Sequence, residues 1–162
     1  MKRLYLIVCV GFLAGACTEE KAEEKATVSI QLYEAQLAAD ARGPQYAGWD
    51  TVSFVPPSQT APILYVIAPE PLLTEWNITA FKAGLQQTDS TQVVTARINA
   101  YAEQKMQAFC AQTPNLKKPM GLKVGQRWLN FLPLLNPITD RIALRGFQNG
   151  EVDQLQHYLD NR

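Results

Sequence analysis

Pro62, Pro69 and Pro71 limit the architecture of this 162-residue chain more than any other residues. Between them lies Ile63-Leu64-Tyr65-Val66-Ile67, an unbroken apolar run. A helix interior rejects proline, because the ring removes an N–H donor and clashes with the preceding turn. A short apolar run closed by proline at both ends therefore reads as a central strand. Its neighbours must come from elsewhere in the chain. Thr27-Val28-Ser29-Ile30-Gln31-Leu32 alternates with period two, the pattern of a half-buried strand. Residues 40–62 are rich in Gly, Pro, Ser and Gln, with a short strand expected over Thr51–Val55 and ended by Pro56-Pro57. Gly125 to Phe131 and Arg141 to Leu144 also read as strands, with Gly146 and Gly150 punctuating the turn that follows.

Between Asp89 and Gln112 periodicity leaves two readings open. Val94, Ile98, Tyr101, Lys105 and Phe109 fit one long helical stripe. Val94, Ala96 and Ile98 equally alternate as a strand, with Asn99 then capping a helix through about Gln112. Pro114 ends the helix in either case. Val152, Leu155 and Leu159 form the apolar stripe of a closing helix. The expected fold class is α+β: a mostly antiparallel sheet with two main helices, near residues 100–112 and 150–160, packed on one face.

The first 17 residues, MKRLYLIVCVGFLAGAC, have the layout of a secretory leader: basic Lys2-Arg3, an apolar run from Leu4 to Leu13, small residues, then Cys17. The run is about ten residues, where a spanning helix needs roughly 20, which argues against an uncleaved anchor. The cysteine resembles the lipobox of bacterial lipoproteins, in which Cys17 is acylated and becomes the N-terminus. The leucine usually found three places before the cysteine stands four places before it here, as Leu13. The alternative is an ordinary secreted protein cut near Ala16. Residues 1–16 are thus a leader, residues 17–26 a charged tether (TEEKAEEKA after the cysteine), and residues 27–162 a single domain. By resemblance to enterobacterial sorting, Thr18 after the cysteine favours the outer membrane. The expected location is the cell envelope, lipid-anchored and facing the periplasm, with the membrane itself one partner.

Chemistry-bearing motifs are scarce. The chain has 15 basic and 15 acidic side chains and one histidine. Losing Lys2 and Arg3 with the leader tips it slightly acidic, which argues against nucleic acid as a partner. Charge is uneven: residues 34–75 carry five acids against Arg42, and residues 97–127 carry six bases against Glu103. Such runs are more often solvated faces that complement each other within a fold than a partner surface. No phosphate loop, serine-nucleophile motif or metal-ligand spacing occurs, so no cofactor or metal is expected. With Cys9 in the leader and Cys17 at its end, Cys110 is the remaining thiol. It shares a helical face with Met106 and Phe109 and reads as a small buried apolar residue, far in sequence from His157. Glu151 and Asp153 read as first-turn helix acids, and Arg141 and Arg145 as a solvent-facing pair on one strand. Most aromatics of a domain this size belong to the core. Tyr46 and Trp49, in the Gly/Pro-rich loop, are the best candidates for exposure. With Lys117 and Lys118 they form the candidate partner-binding surface.

The order of these segments resembles a known family. From about residue 64 the chain is similar to the head subdomain of the large periplasmic domain of SecD, a membrane protein of the export machinery. LYVIAPEPLLT (64–74) is similar to that family's strand and loop ending in Leu-Thr. WNITAFKAGL (76–85) takes the place of the next strand, and VVTARINAYAEQKMQAF (93–109) of a strand followed by a helix. VGQRWLNFL (124–132) stands where the family has a Gly-Lys-Arg strand. RIALRGFQNGEVDQLQHYL (141–159) is similar to the last strand, Gly-Phe turn and helix. The family's Asp-Gly hairpin is missing, and LPLLNPIT (132–139) is shorter and richer in proline. The resemblance implies that the helix begins after Asn99. The scarcity of chemistry-bearing motifs favours a non-catalytic envelope lipoprotein that binds a protein or peptide partner in export or envelope assembly, for instance by adding a partner strand at a sheet edge. Two other functions compete: an inhibitor or immunity lipoprotein, and a periplasmic hydrolase using Cys110 or a carboxylate site. Burial of Cys110 would remove the only plausible nucleophile of the last one.

Overall fold

The computed structural model describes residues 28–85, 90–112 and 115–162. The leader, Cys17 and the tether lie outside them. Strands β1 (Ile30–Leu37), β2 (Asp50–Phe54), β3 (Ile63–Ile67) and β4 (Leu73–Thr74) are followed by β5 (Ile78–Leu85) and β6 (Gln92–Ile98). Helix α1 (Ala100–Ala111), strands β7 (Pro119–Val124), β8 (Arg127–Pro133) and β9 (Arg141–Phe147), and helix α2 (Asn149–Asp160) complete the described residues. Every strand pairing is antiparallel. The fold is α+β, mostly sheet, with the strands divided between two sheets: β2-β3-β1-β7-β8, with β4 also on β1, and β5-β6-β9.

The prolines act as their chemistry requires. β3 lies between β2 and β1, so it is interior. One edge of β1 is shared: Ala35, Gln36 and Leu37 face Ile67, Val66 and Tyr65, while Gln31 and Leu32 face Thr74 and Leu73. Between them residues 68–72 bow outward, held by Ala68 N–H donating to Glu34 O at 3.0 Å and Leu72 N–H to Leu32 O at 2.7 Å. Pro69 and Pro71 sit in the bow, where a missing N–H breaks no ladder bond.

Strand then helix is the outcome for residues 90–112. β6 ends at Ile98, and the Asn99 side chain accepts from Ala102 N–H at 2.9 Å, capping α1. The expected strand over Gly125–Phe131 is corrected. Residues Pro119–Val124 form β7, where no strand is expected, and Gly125 belongs to a two-residue hairpin joining Val124 to Arg127, where β8 begins. Gly125 has φ +57° at the first of the two loop positions, a conformation glycine adopts without strain.

Both helices feed one core. Met106, Phe109 and Cys110 of α1 and Val152 and Leu155 of α2 are buried with Ile30, Leu32, Leu73, Ile78, Val94, Ala96 and Leu122. A second, smaller cluster occupies the opposite face of the large sheet: Ala35, Tyr65, Ile67 and Phe131, flanked by Tyr33, Val52, Phe54, Ile63 and Trp128. Tyr65 and Phe131 stack at 4.0 Å with planes 7° apart. They belong to β3 and β8, three strand spacings apart in the ladder, which a flat sheet would hold about 14 Å apart. The sheet is therefore strongly curled, bringing β2 and β3 over β8, and Phe54 of edge strand β2 reaches Phe131 at 5.2 Å. Small residues line the floor of the curl. A Cβ on Gly121 would meet Phe131 Cε1 at 2.8 Å and Trp128 Cζ3 at 2.9 Å, so those rings lie where a side chain would be. A bulge at Leu129 sends that residue into the main core while Trp128 and Phe131 share the aromatic face.

Candidate functional site

The four residues expected to meet a partner lie on two segments of the chain. Tyr46 and Trp49 lie in the loop after β1, half-buried and packed edge to face at 5.0 Å with planes at 89°. More of the Trp76 and Tyr101 side chains reaches solvent, at 60% and 69% exposure. Lys117 and Lys118 precede β7 and border a shallow depression with Gln36, Leu37, Asp40 and Pro119. Lys117 is exposed and has φ +75°, so its backbone makes the turn. The Lys118 ammonium is occupied: it donates to Glu34 Oε1 at 2.9 Å and to Asn115 Oδ1 at 2.8 Å. That ion pair joins the acidic first half of the chain to its basic second half, the complementarity that uneven charge suggests.

Residues with chemical potential serve the fold. Cys110 is 6% exposed within the core, so its thiol is out of reach of a substrate. His157 lies exposed on α2 beside Asn161. Glu151 accepts from Gln148 N–H at 2.8 Å at the start of α2, and takes a forked contact from Arg127 Nη2 at 2.7 and 2.8 Å. Among the described residues no group of His, Cys, Asp or Glu side chains is placed to hold a metal ion.

A more distinctive place is the seam between the sheets. Among the described residues, β8 is the free edge of one sheet and β9 of the other, and they run side by side. They touch at two bulges. Gly146, with φ +92°, is the extra residue of β9, and a Cβ there would lie 3.5 Å from Leu129, the extra residue of β8. Bulges twist a strand and end its pairing, so the edges are joined here by side chains instead. Asn130 Nδ2 donates to Arg145 O at 2.7 Å and Arg127 Nη2 to Gly146 O at 3.3 Å. Further along, the strands enclose a cleft of about 80 Å³ lined by Leu32, Met120, Leu122, Leu132, Ile142 and Leu144, with Arg145 beside it. Small-molecule pockets measure roughly 300–1,000 Å³; this one has room for a side chain of a larger partner.

The outer face of the small sheet is basic. Register places Ala80, Arg97 and Arg141 in one row, Lys82, Thr95 and Ala143 in the next, and Gly84, Val93 and Arg145 in the third. Lys82, Arg97, Arg141 and Arg145 are all exposed. Asp140 is shared between Arg97 at 3.7 Å and Arg141 at 3.6 Å, while Lys82 and Arg145 have no ion pair among the described residues. Strand parity made Arg141 and Arg145 legible as a solvent-facing pair. That Lys82 and Arg97 join them depends on long-range register, for which the sequence carries no signal.

The architecture matches solved structures. One is a structure of the membrane component SecDF that enhances protein export: 12% identity, TM-score 0.51, covering 82% of this chain and 61% of that one. A second, SecDF in its super-membrane-facing form, aligns at 12% identity and TM-score 0.48, over 82% of this chain and 18% of that one. The likeness is one of fold. This chain spans about three-fifths of the first chain's length. No family model matches the chain, and no curated protein matches it in sequence. The order of strands and helices read from residues 64–159 agrees with the match. No helix among the described residues is long and apolar enough to cross a membrane.

Proposed function

We propose that this chain is a non-catalytic accessory lipoprotein of the cell envelope, held at the membrane through Cys17 and binding a segment of a partner protein in export or envelope assembly. The observation that carries the reading is the SecDF-like fold over 82% of the chain. The leader and Cys17 supply the attachment, and Thr18 favours the outer membrane. The tether of residues 18–26 spaces the domain from the bilayer. The geometry supports binding: the thiol is in the core, Glu34, Asp140 and Glu151 are held in ion pairs, and two sheets end side by side in edges that no strand covers among the described residues. Open edges suit recognition of an extended chain, since main-chain donors and acceptors there can receive another strand.

Crosslinking in intact cells tests this reading. With a photo-reactive residue at surface positions such as Leu132, Leu64 or Trp49, at least one position should give a discrete protein adduct in the membrane fraction. The absence of an adduct at every surface position would overturn it.

A further inference from the structure

We propose that the seam between β8 and β9 binds an extended peptide whose side chains alternate between aliphatic and acidic, adding it as a strand to the free edge of β9. This rests on the partner-binding reading above and names the site and the chemistry of the segment bound.

Three observations converge on it. First, β9 has a backbone edge to offer. Arg145 O points across the seam, since Asn130 reaches it at 2.7 Å. Strand groups two residues apart point the same way, so Ala143 directs its N–H and C=O toward the seam where the edges have parted. Second, a strand paired there would turn alternate side chains inward, onto the cleft formed by Leu32, Met120, Leu122, Ile142 and Leu144. About 80 Å³ of apolar-lined space suits a valine or leucine. Third, the remaining side chains would fall on the outer face beside Arg141, Ala143 and Arg145, with Arg97 on the next strand and Lys82 one strand further. Opposite charges on neighbouring strands attract and like charges repel, and Arg145 has no acid of its own among the described residues. Apolar inward and acidic outward is the complement of this edge. A lipid surface would use the basic face but not the cleft.

The test uses the full-length protein purified in detergent and two short fluorescent peptides, one alternating glutamate with valine, the other lysine with valine. The glutamate peptide should bind saturably and about tenfold more tightly than the lysine peptide, with affinity falling as salt rises. Arg145→Glu should narrow or reverse that preference. Leu132→Glu, at a position 46% exposed and therefore tolerant of substitution, should weaken the glutamate peptide about tenfold by placing a negative charge at the cleft. Equal binding of the two peptides, or binding unchanged by both substitutions, overturns the proposal. So does binding to vesicles of phosphatidylethanolamine and phosphatidylglycerol that is abolished by Lys82→Glu with Arg97→Glu and untouched by Leu132→Glu. In cells, adducts at other positions with none at Leu132 would overturn the seam while leaving the partner-binding reading standing. Adducts nowhere would overturn that reading itself.

Discussion

Gly121 is where one atom decides a surface. Its Cβ position is occupied by Phe131 and Trp128, so any larger residue must push apart the rings that hold the curl of the large sheet. Gly121→Val should destabilise the protein by about 1–3 kcal/mol, the usual range for overpacking, and move tryptophan emission to longer wavelength as Trp128 meets water. A melting temperature and spectrum equal to wild type would show that the rings are not packed over β7. Tyr158 presents the opposite case. Its hydroxyl is buried with no hydrogen-bond partner among the described residues, while the ring packs edge to face on Trp76 at 5.9 Å. Removing an unsatisfied buried polar atom while keeping the ring costs little or nothing. Tyr158→Phe should therefore match or exceed wild-type stability by about 0–1 kcal/mol, as read from urea denaturation; a clear loss would mean that the hydroxyl is bonded.

Among the elements, α1 can be probed by a single substitution on its buried face. Phe109 is 7% exposed on the face that also buries Met106 and Cys110. Phe109→Ala should cost about 3–5 kcal/mol in thermal or chemical unfolding, and an unchanged transition would put α1 off the sheet. This helix was legible because Asn99 caps it and its apolar spacing is regular. β3 was legible because prolines fence it. β7 was not, although Met120, Leu122 and Val124 alternate: it follows two lysines and begins on a proline, and Gly121 interrupts its other face. The aromatic curl and the seam left no local mark at all. The first depends on Tyr65 finding Phe131 through three intervening pairings, and the second on bulges at Leu129 and Gly146 that are visible only once β8 and β9 have partners. Tyr46 and Trp49, chosen from loop composition, turned out to shield each other. The basic row of β6 and β9 was only half visible through parity.

At the scale of the whole molecule, tyrosine burial sets a pH response, through Tyr33 and Tyr65 in the curled sheet and Tyr158 on α2. Burial pushes the Tyr33, Tyr65 and Tyr158 hydroxyls above the usual tyrosine value, with Arg162 partly offsetting the effect at Tyr158 and Glu75 adding to it. The unfolded chain gives up these protons from about pH 10, while the folded chain still holds them. The stability they contribute is complete below that pH and is lost as pH rises through the folded values. Urea midpoints should thus fall between about pH 9 and about pH 11, with a smaller fall in Tyr65→Phe; a midpoint that rises over this interval would contradict the burial. Function at this scale rests on placement. Under the proposed function, a domain whose fold matches SecDF would meet its envelope partner while acyl chains on Cys17 hold it at the bilayer. Acyl chains supply about 0.8 kcal/mol per buried methylene, and several together make attachment stable. Fractionation of cells carrying wild type or Cys17→Ser measures this directly. The account predicts wild type in the membrane fraction and Cys17→Ser either soluble in the periplasm or retained with its leader uncut. Both proteins processed and soluble alike would contradict it.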